Sequence, residues 1–527
     1  MRTRHMPNVD INPASAVARH ARFNPDATAV VYAGGDLTYA DLNDKAARFA
    51  TVLTQNGVAQ EDRVAFLGMN STSFLVTMLA AFRLGAIFVP VNFRLAPPET
   101  LAVLEQSGAS VLVCEEGHRA LVDGLVKPAV LEALFLVDDD SEVPASSSAA
   151  RWTSWSSAIA SASPTAEVST RTEDDVAILM FTSGTTGRSK GVTLTHGNIW
   201  WNSLNVELMV DSRIGDTTHA AAPLFHVGAL NSFVLRALVR GNRVVVRRAF
   251  DPAQTLDDYT HYQVNSTFAV PAMFIAMQRL PEFDAADLST LRAVVVAGAP
   301  VPPSVITDWA KRGVMLQQAW GLTETAPFAT HLPVDWTLTK TGSAGIPMPY
   351  TEVRVVDVVT GEPVATGERG EVIVRGPNVT SGYWKNDEAT GAAFDADGWF
   401  HSGDIGFLDD DSCLYIVDRL KDMIISGGEN VYPAEVERAL ADLEGLNDVA
   451  VIGVPDEQWG EIVVALGSVQ PGADITLETV REHAANKVAR YKLPSRFLIV
   501  DAVPRNASGK LDKTNIRRLA GETDERG

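Results

Sequence analysis

The sequence predicts an α/β fold with more than one core, and three observations lead there. The chain has 527 residues, too many for one hydrophobic core. Hydrophobic residues make up 46% of it, enough to fill several. Short apolar runs of strand length alternate with stretches of helical spacing, the pattern of parallel sheets covered by helices.

Thr38 to Asn56 carries Leu42, Ala46, Phe49 and Leu53 at helical spacing, and Gly57 stops it. Arg63–Leu67 is a strand, Ser73–Leu84 a helix, Ile87–Val91 a strand, Pro97–Gln106 a helix opened by proline, and Ser110–Cys114 a strand. Arg83 and Gly85 interrupt the apolar run from Phe74 to Val91, which favours a buried helix entering a strand over a membrane span. Ser141–Thr172, rich in Ser, Ala, Pro and Thr, is expected to be a surface connection. Strands resume at Val176–Met180, Arg243–Val246, Ser266–Val270 and Ala293–Val296. From Glu352 to Val374 short strands with Gly-Glu turns predict a small β-rich subdomain. Beyond Asp418, Glu435–Leu440 (helix), Val449–Ile452 and Ile462–Val469 (strands) and Leu477–Lys487 (helix) predict a small α+β domain. The division expected is 1–420 and 421–527.

The formal charge of −21 argues against nucleic acid and anionic membranes as partners. Anionic ligands must then be held by local devices. Two cysteines, Cys114 and Cys413, give no disulfide framework or zinc site, and Met1–Asn12 has no signal-peptide core, so a cytoplasmic protein is expected.

One such device is Phe181-Thr-Ser-Gly-Thr-Thr-Gly-Arg-Ser-Lys-Gly191. Its glycines allow a tight turn whose N–H groups form a concavity for anions. Thr182, Ser183, Thr185 and Thr186 add hydroxyls, and Arg188 and Lys190 add charge. It is not the G-x-x-x-x-G-K-[ST] loop, because Ser189 stands where that pattern needs glycine. An ordinary polar loop has a similar composition.

Gln317-Gln-Ala-Trp-Gly-Leu-Thr-Glu-Thr325 places an aromatic plate, a hydroxyl and a carboxylate in one short stretch. Trp320 can stack a purine and Glu324 can hold Mg²⁺ beside phosphates; a buried Trp beside a satisfied Glu is the competing reading. Asp404, in Trp399-Phe-His-Ser-Gly-Asp-Ile-Gly406, can accept from both ribose hydroxyls, or simply form a turn. Ala222-Pro-Leu-Phe-His-Val-Gly-Ala-Leu-Asn231 sets His226 in an apolar run, where a core histidine is the alternative.

These stretches, with Val417-Asp-Arg-Leu-Lys-Asp422, Ile424-Ile-Ser-Gly-Gly-Glu-Asn-Val-Tyr-Pro433 and Asn506-Ala-Ser-Gly-Lys-Leu511, occur in an order that resembles the adenylate-forming superfamily, of acyl-CoA synthetase or fatty-acid–CoA ligase type. The resemblance runs from about Asp26 to Lys513. It implies a large domain of parallel β/α sheets with a small β-rich subdomain, and a small mobile C-terminal α+β domain carrying a catalytic lysine. Thr182, Ser183, Gly184, Thr185, Thr186, Gly187 and Lys190 would cradle the phosphates of ATP. Gly298, Ala299, Pro300, Gln318, Trp320 and Gly321 would surround adenine. Thr323 would meet the α-phosphate, Glu324 the Mg²⁺, Asp404 the ribose and Arg419 the ribose or phosphate. Lys421 is the implied hinge. Gly427 and Gly428 would line the pantetheine tunnel, with Trp459, Tyr491 and Lys492 also on CoA. Lys510 would bridge the attacking carboxylate and the α-phosphate. His226, Val227, Gly228 and Asn231 would wall the acid pocket, His226 gating its carboxylate end. Trp320 departs from the family's commoner Tyr while keeping the π face.

The implied reaction is activation of an apolar acid, a fatty acid first among them, as acyl-AMP with release of pyrophosphate, then transfer to CoA with release of AMP. No Asp lies between Ala220 and Arg240 to pair an ammonium, which disfavours α-amino acids. Loading a carrier protein, another acceptor, or non-catalytic nucleotide sensing are the alternatives. The sequence leaves the oligomeric state open, a homodimer among the options.

Overall fold

The computed structural model describes residues 9–33, 35–125, 131–140, 151–182, 189–426, 429–456, 459–485, 487–506 and 509–522. The chain forms two compact units. One comprises Met1–Val353, Val374–Phe400 and Ser412–Leu414; the other comprises Arg354–Ile373, His401–Asp411 and Tyr415–Gly527.

The first unit holds two large sheets. The seven-stranded sheet runs in the order Thr153–Ser154, Ala133–Val137, Val111–Glu115, Arg63–Leu67, Ile87–Val91, Val176–Thr182, Lys190–Thr195. Ile87–Val91 and Val111–Glu115 are buried at every position, because helices cover both faces. All pairs are parallel except the last, where Val176–Thr182 and Lys190–Thr195 form an antiparallel hairpin. The nine-stranded sheet runs Ile346–Pro347, Phe328–His331, Gln317–Gly321, Ala293–Val296, Ser266–Ala269, Thr217–Ala220, Arg243–Val246, Thr28–Val31, Leu37–Thr38. Its centre is parallel and both ends are antiparallel, those connections lacking a crossover α-helix.

Tyr39–Gln55 forms the expected helix, started by a capping box between Thr38 and Asp41. Thr72–Leu84 is capped by Ser71 and stopped by Gly85 in the left-handed region (φ 68°). A Cβ on Gly85 would lie 2.7 Å from the Arg171 guanidinium carbon, so that side chain would have to shift. The connection expected over Ser141–Thr172 contains a short strand, Thr153–Ser154, and a helix, Trp155–Ser161; residues 141–150 lie outside the described residues. Trp155 is buried with its ring 4.1 Å from that of Phe49. Two apolar side chains, Trp155 and Ile159, were too sparse a stripe to stand out among serines and alanines.

A four-stranded sheet, Glu352–Val356, Gly370–Arg375, Phe400–Leu408, Leu414–Arg419, falls for the most part in the second unit and matches the β-rich texture expected from Glu352 onward. Its five-stranded sheet is built on the long pair Leu446–Asp456 and Gly460–Val469. Side chains alternate across this pair. Val451, Val463 and Ala465 meet the helices Pro433–Leu440 and Leu477–Ala485, and Ala450, Ile452 and Val464 meet Ile516 and Ala520 of Lys513–Glu522. Among the described residues no helix is long and apolar enough to cross a membrane.

Candidate active site

The polar loop after Val176–Thr182 closes a hairpin instead of opening a helix. Thr182 pairs with Lys190 in register, so a hydroxyl and a cation stand opposite each other at its foot. Ser183, Gly184, Thr185, Thr186, Gly187 and Arg188 lie outside the described residues.

Gln317–Gly321 is a strand whose end carries the next motif directly into a single 3-10 turn, Thr323–Thr325. The approach is tight. A Cβ on Gly321 would fall 1.8 Å from the Pro327 carbonyl oxygen. Thr325 Oγ1 accepts from Leu322 N at 2.8 Å and donates to Pro327 O at 2.5 Å, which closes the turn. Glu324 is thereby held with only 8% of its surface exposed, beside a partly exposed Thr323. Thr380 N donates to the Glu324 carbonyl at 2.7 Å, and Tyr383 Oη donates to Glu324 Oε1 at 2.9 Å. Asn378 Nδ2 holds the Thr325 and Phe328 carbonyls at 2.8 and 3.0 Å.

Gly298, Ala299 and Pro300 are exposed just past the carboxyl end of Ala293–Val296, and Gly298 takes a φ of 91° that favours glycine. That strand is parallel to Gln317–Gly321, with Val296 opposite Gln318, so the two stretches expected to meet adenine lie on neighbouring strands. Gln318 is buried and its Nε2 finds no acceptor among the described residues. An orphan donor at a strand's carboxyl end suits a heterocycle nitrogen. Trp320 is 8% exposed, held within the strand.

His226 is exposed, which excludes the core-histidine reading; its ring lies 4.2 Å from that of Phe225. It caps the short helix Val227–Ala229, which runs into a π-helix, Leu230–Val234, and then Leu235–Arg240. Wide π turns concentrate at functional sites. Here the wide turn carries Asn231, which is 1% exposed and, among the described residues, has no partner for either Oδ1 or Nδ2. A Cβ on Gly228 would reach 2.7 Å from the Phe268 ring, so that ring packs directly on bare backbone.

In the second unit Asp404 is buried on Phe400–Leu408, and Arg419 Nε lies 3.4 Å from its Oδ1. Lys421 sits in the turn Leu420–Asp422, and burial lowers its affinity for a proton. Lys492 is 8% exposed and donates to both Glu435 oxygens at 2.8 Å, so its charge is already neutralised at home. Tyr491 and Trp459 are 45% and 51% exposed. Lys510 is exposed on a loop closed by Asn506, whose N donates to Lys510 O at 2.8 Å. Gly427 and Gly428 lie outside the described residues.

The structure thus gathers Glu324, Thr323 and the Gly298–Pro300 stretch with Gln318 in the first unit, and Asp404 with Arg419 in the second. Sequence reasoning missed Tyr383. A Gly-Tyr-Trp triplet in polar surroundings was its one signal, and nothing local ties it to a carboxylate 59 positions away. Among the described residues no cluster of three or more His, Cys, Asp or Glu could cage a metal ion. A single carboxylate fits Mg²⁺ that arrives on nucleotide phosphates, since that ion keeps most of its ligands as water and phosphate.

Exposed backbone and an unpaired amide near the carboxyl ends of two parallel strands, followed by a carboxylate turn, are features that a nucleotide-dependent enzyme requires. The AMP-binding enzyme family matches residues 17–384, and the AMP-binding enzyme C-terminal domain matches 435–510. The chain belongs to this family: it is an adenylate-forming enzyme of the acyl-CoA synthetase type, an acid–thiol ligase. It is 42% identical over 507 residues to a feruloyl-CoA synthase of an Amycolatopsis species, covering 95% of this chain and 98% of that one. It is 38% identical over 508 residues to the indoleacetate–CoA ligase of Aromatoleum aromaticum, covering 95% and 97%. A fatty acyl CoA synthetase structure from Mycobacterium tuberculosis superposes with a TM-score of 0.78 at 34% identity, covering 97% and 99%.

Proposed function

We propose that this ligase activates a carboxylic acid with a flat, aromatic body that bears a polar substituent, and passes it to CoA. The observation that carries this reading is Asn231. A buried amide with neither atom paired costs about 1–3 kcal/mol; a phenolic hydroxyl on the acid could accept from Nδ2 or donate to Oδ1, and a methoxy oxygen could accept from Nδ2. A plain alkyl chain would leave both atoms unpaired, so the fatty acid expected from sequence is the less favoured acid. The aromatic acids in two relatives' names agree with this choice.

In the first step a carboxylate oxygen of the acid attacks the α-phosphorus of ATP, and the bond to pyrophosphate breaks. Two anions must meet, so the step needs cations and oriented donors. Lys190, Thr182 and the loop they close would hold the β- and γ-phosphates, Thr323 the α-phosphate and Gln318 the adenine. Glu324 would hold the Mg²⁺, which when bound neutralises phosphate charge. Asp404 would accept from the ribose hydroxyls, Arg419 beside it. Lys510 would bring the carboxylate to the phosphate. In the second step the CoA sulfur attacks the acyl carbon, and the bond to AMP breaks. We propose that residues 421–527 move between the steps, pivoting at Lys421, and that the exposed Trp459 and Tyr491 then serve CoA.

The test is pyrophosphate release, with and without CoA, over hydroxylated and methoxylated cinnamic acids, unsubstituted cinnamic acid and alkanoic acids. Wild type should prefer a ring-substituted acid, and Asn231→Leu should erase that preference by on the order of 10–100-fold. An unchanged ratio in Asn231→Leu, or equal rates with alkanoic acids in wild type, overturns the aromatic reading.

A further inference from the structure

Residues 380–384 run beside the Lys190–Thr195 strand. Thr380 Oγ1 donates to Thr193 O at 2.6 Å, Thr193 N to Gly382 O at 3.0 Å and Trp384 N to Gly191 O at 2.7 Å. This sets Tyr383 opposite Val192. From that fixed position one side chain meets two parts of the site. Its hydroxyl donates to Glu324 Oε1 at 2.9 Å, and Lys190 Nζ lies 5.0 Å from its ring centroid. The same segment grips Glu324 by the main chain through Thr380 N. A carboxylate held at both backbone and side chain has one orientation, and a lysine set over a ring face has lost part of its freedom.

We propose that Tyr383 is a positioning residue for adenylation: it orients the Glu324 carboxylate toward the divalent cation carried by ATP and sets Lys190 at the foot of the phosphate loop. The proposal rests on the reading of Glu324 as the Mg²⁺ ligand. Tyr383 is half-buried, and a backbone carbonyl or solvent would have satisfied a purely structural hydroxyl. Here the acceptor is the one carboxylate of the nucleotide motif.

The test uses the full chain with Tyr383→Phe, Tyr383→Leu, Glu324→Gln and the Tyr383→Phe/Glu324→Gln double variant. Mn²⁺ binding in the presence of a non-hydrolysable ATP analogue is read by electron paramagnetic resonance. Mg²⁺ half-saturation and kcat are read from pyrophosphate release. Thioester formation from supplied acyl-adenylate, which needs no metal, is the internal control. Phe keeps the ring face and loses the hydroxyl. It should weaken Mn²⁺ binding and raise the Mg²⁺ half-saturation by about 10–100-fold, the usual effect of losing a group that orients a metal ligand, with kcat recovered at high Mg²⁺. Tyr383→Leu should lower kcat as well, because Lys190 loses its ring. In the Glu324→Gln background, Tyr383→Phe should change Mn²⁺ binding no further. Wild-type Mn²⁺ binding in Tyr383→Phe, or an equal fall of both half-reactions together with the thermal midpoint, overturns the proposal. Intact Mn²⁺ binding in Glu324→Gln removes the metal reading itself, whatever the tyrosine variants do, and the proposal with it.

Discussion

Buried polar side chains without partners mark what the fold tolerates for a reason and what it merely tolerates. Gln318 and Asn231 lie in the stretches read as adenine site and acid pocket, where a ligand can pair them. His331 is different. It is fully buried, both ring nitrogens lack a partner among the described residues, and burial pushes its ionisation down to about 4. In the unfolded chain a histidine titrates near ~6.5. Between those values the unfolded state takes a proton that the folded state refuses. Its folded pKa is depressed, so the stability is full above pH ~6.5 and is lost as pH falls toward 4. His196, held down to about 4 by burial and by Arg171, acts in the same direction. The thermal midpoint of the wild type should drop across this window, and that of His331→Leu should drop less steeply. Equal slopes would assign the acid sensitivity to other groups.

A turn can be as demanding as a side chain. The Thr323–Thr325 turn is set by the contact between Gly321 and the Pro327 carbonyl, by the Thr325 hydroxyl and by residues 378–383. Gly321→Ala puts a methyl 1.8 Å from that carbonyl oxygen, and backbone must move. Overpacking of this kind costs about 1–3 kcal/mol, and the shift carries Glu324 with it. The expected outcome is a lower thermal midpoint together with a raised Mg²⁺ half-saturation for pyrophosphate release. Gly391→Ala is the matching control. It lies in the helix Asp387–Ala393 with nothing within 4 Å of the added methyl, and should gain roughly 0.5–1 kcal/mol. A neutral Gly321→Ala would mean that the turn is looser than its contacts indicate.

On the scale of the whole chain, the two chemical steps ask for different groups. A cation helps a carboxylate meet a phosphate and gives a thiol nothing. Lys510 is exposed on its closed loop, and Lys421 occupies the turn after Leu414–Arg419. Lys510→Ala should slow acid-dependent pyrophosphate release by ~10²–10³-fold, as loss of one placed electrostatic contact does, and should still turn supplied acyl-adenylate and CoA into thioester. Lys421→Pro should show the opposite pattern, because proline restricts φ at the pivot. Measuring both half-reactions on both variants decides it; equal losses in Lys510→Ala would end the alternating-domain reading.

The sequence by itself determined the class. Apolar runs such as Ile87–Val91 dictate buried parallel strands whatever surrounds them, because only strands covered on both faces bury every residue. The motifs were legible because each is short and its wording and order resemble those of a known family; the structure then showed that a Cβ cannot fit at Gly321 and that φ is positive at Gly298. Tertiary structure alone decided which distant residues serve them. It brought Tyr383 to Glu324, turned Lys492 onto Glu435, sank Trp155 against Phe49 and left Asn231 buried without a partner. The physical reason is the same in each case. Periodicity and motif spacing report on neighbours along the chain, whereas a hydrogen bond, an ion pair or its absence depends on which surfaces the packed sheets and helices finally place in contact.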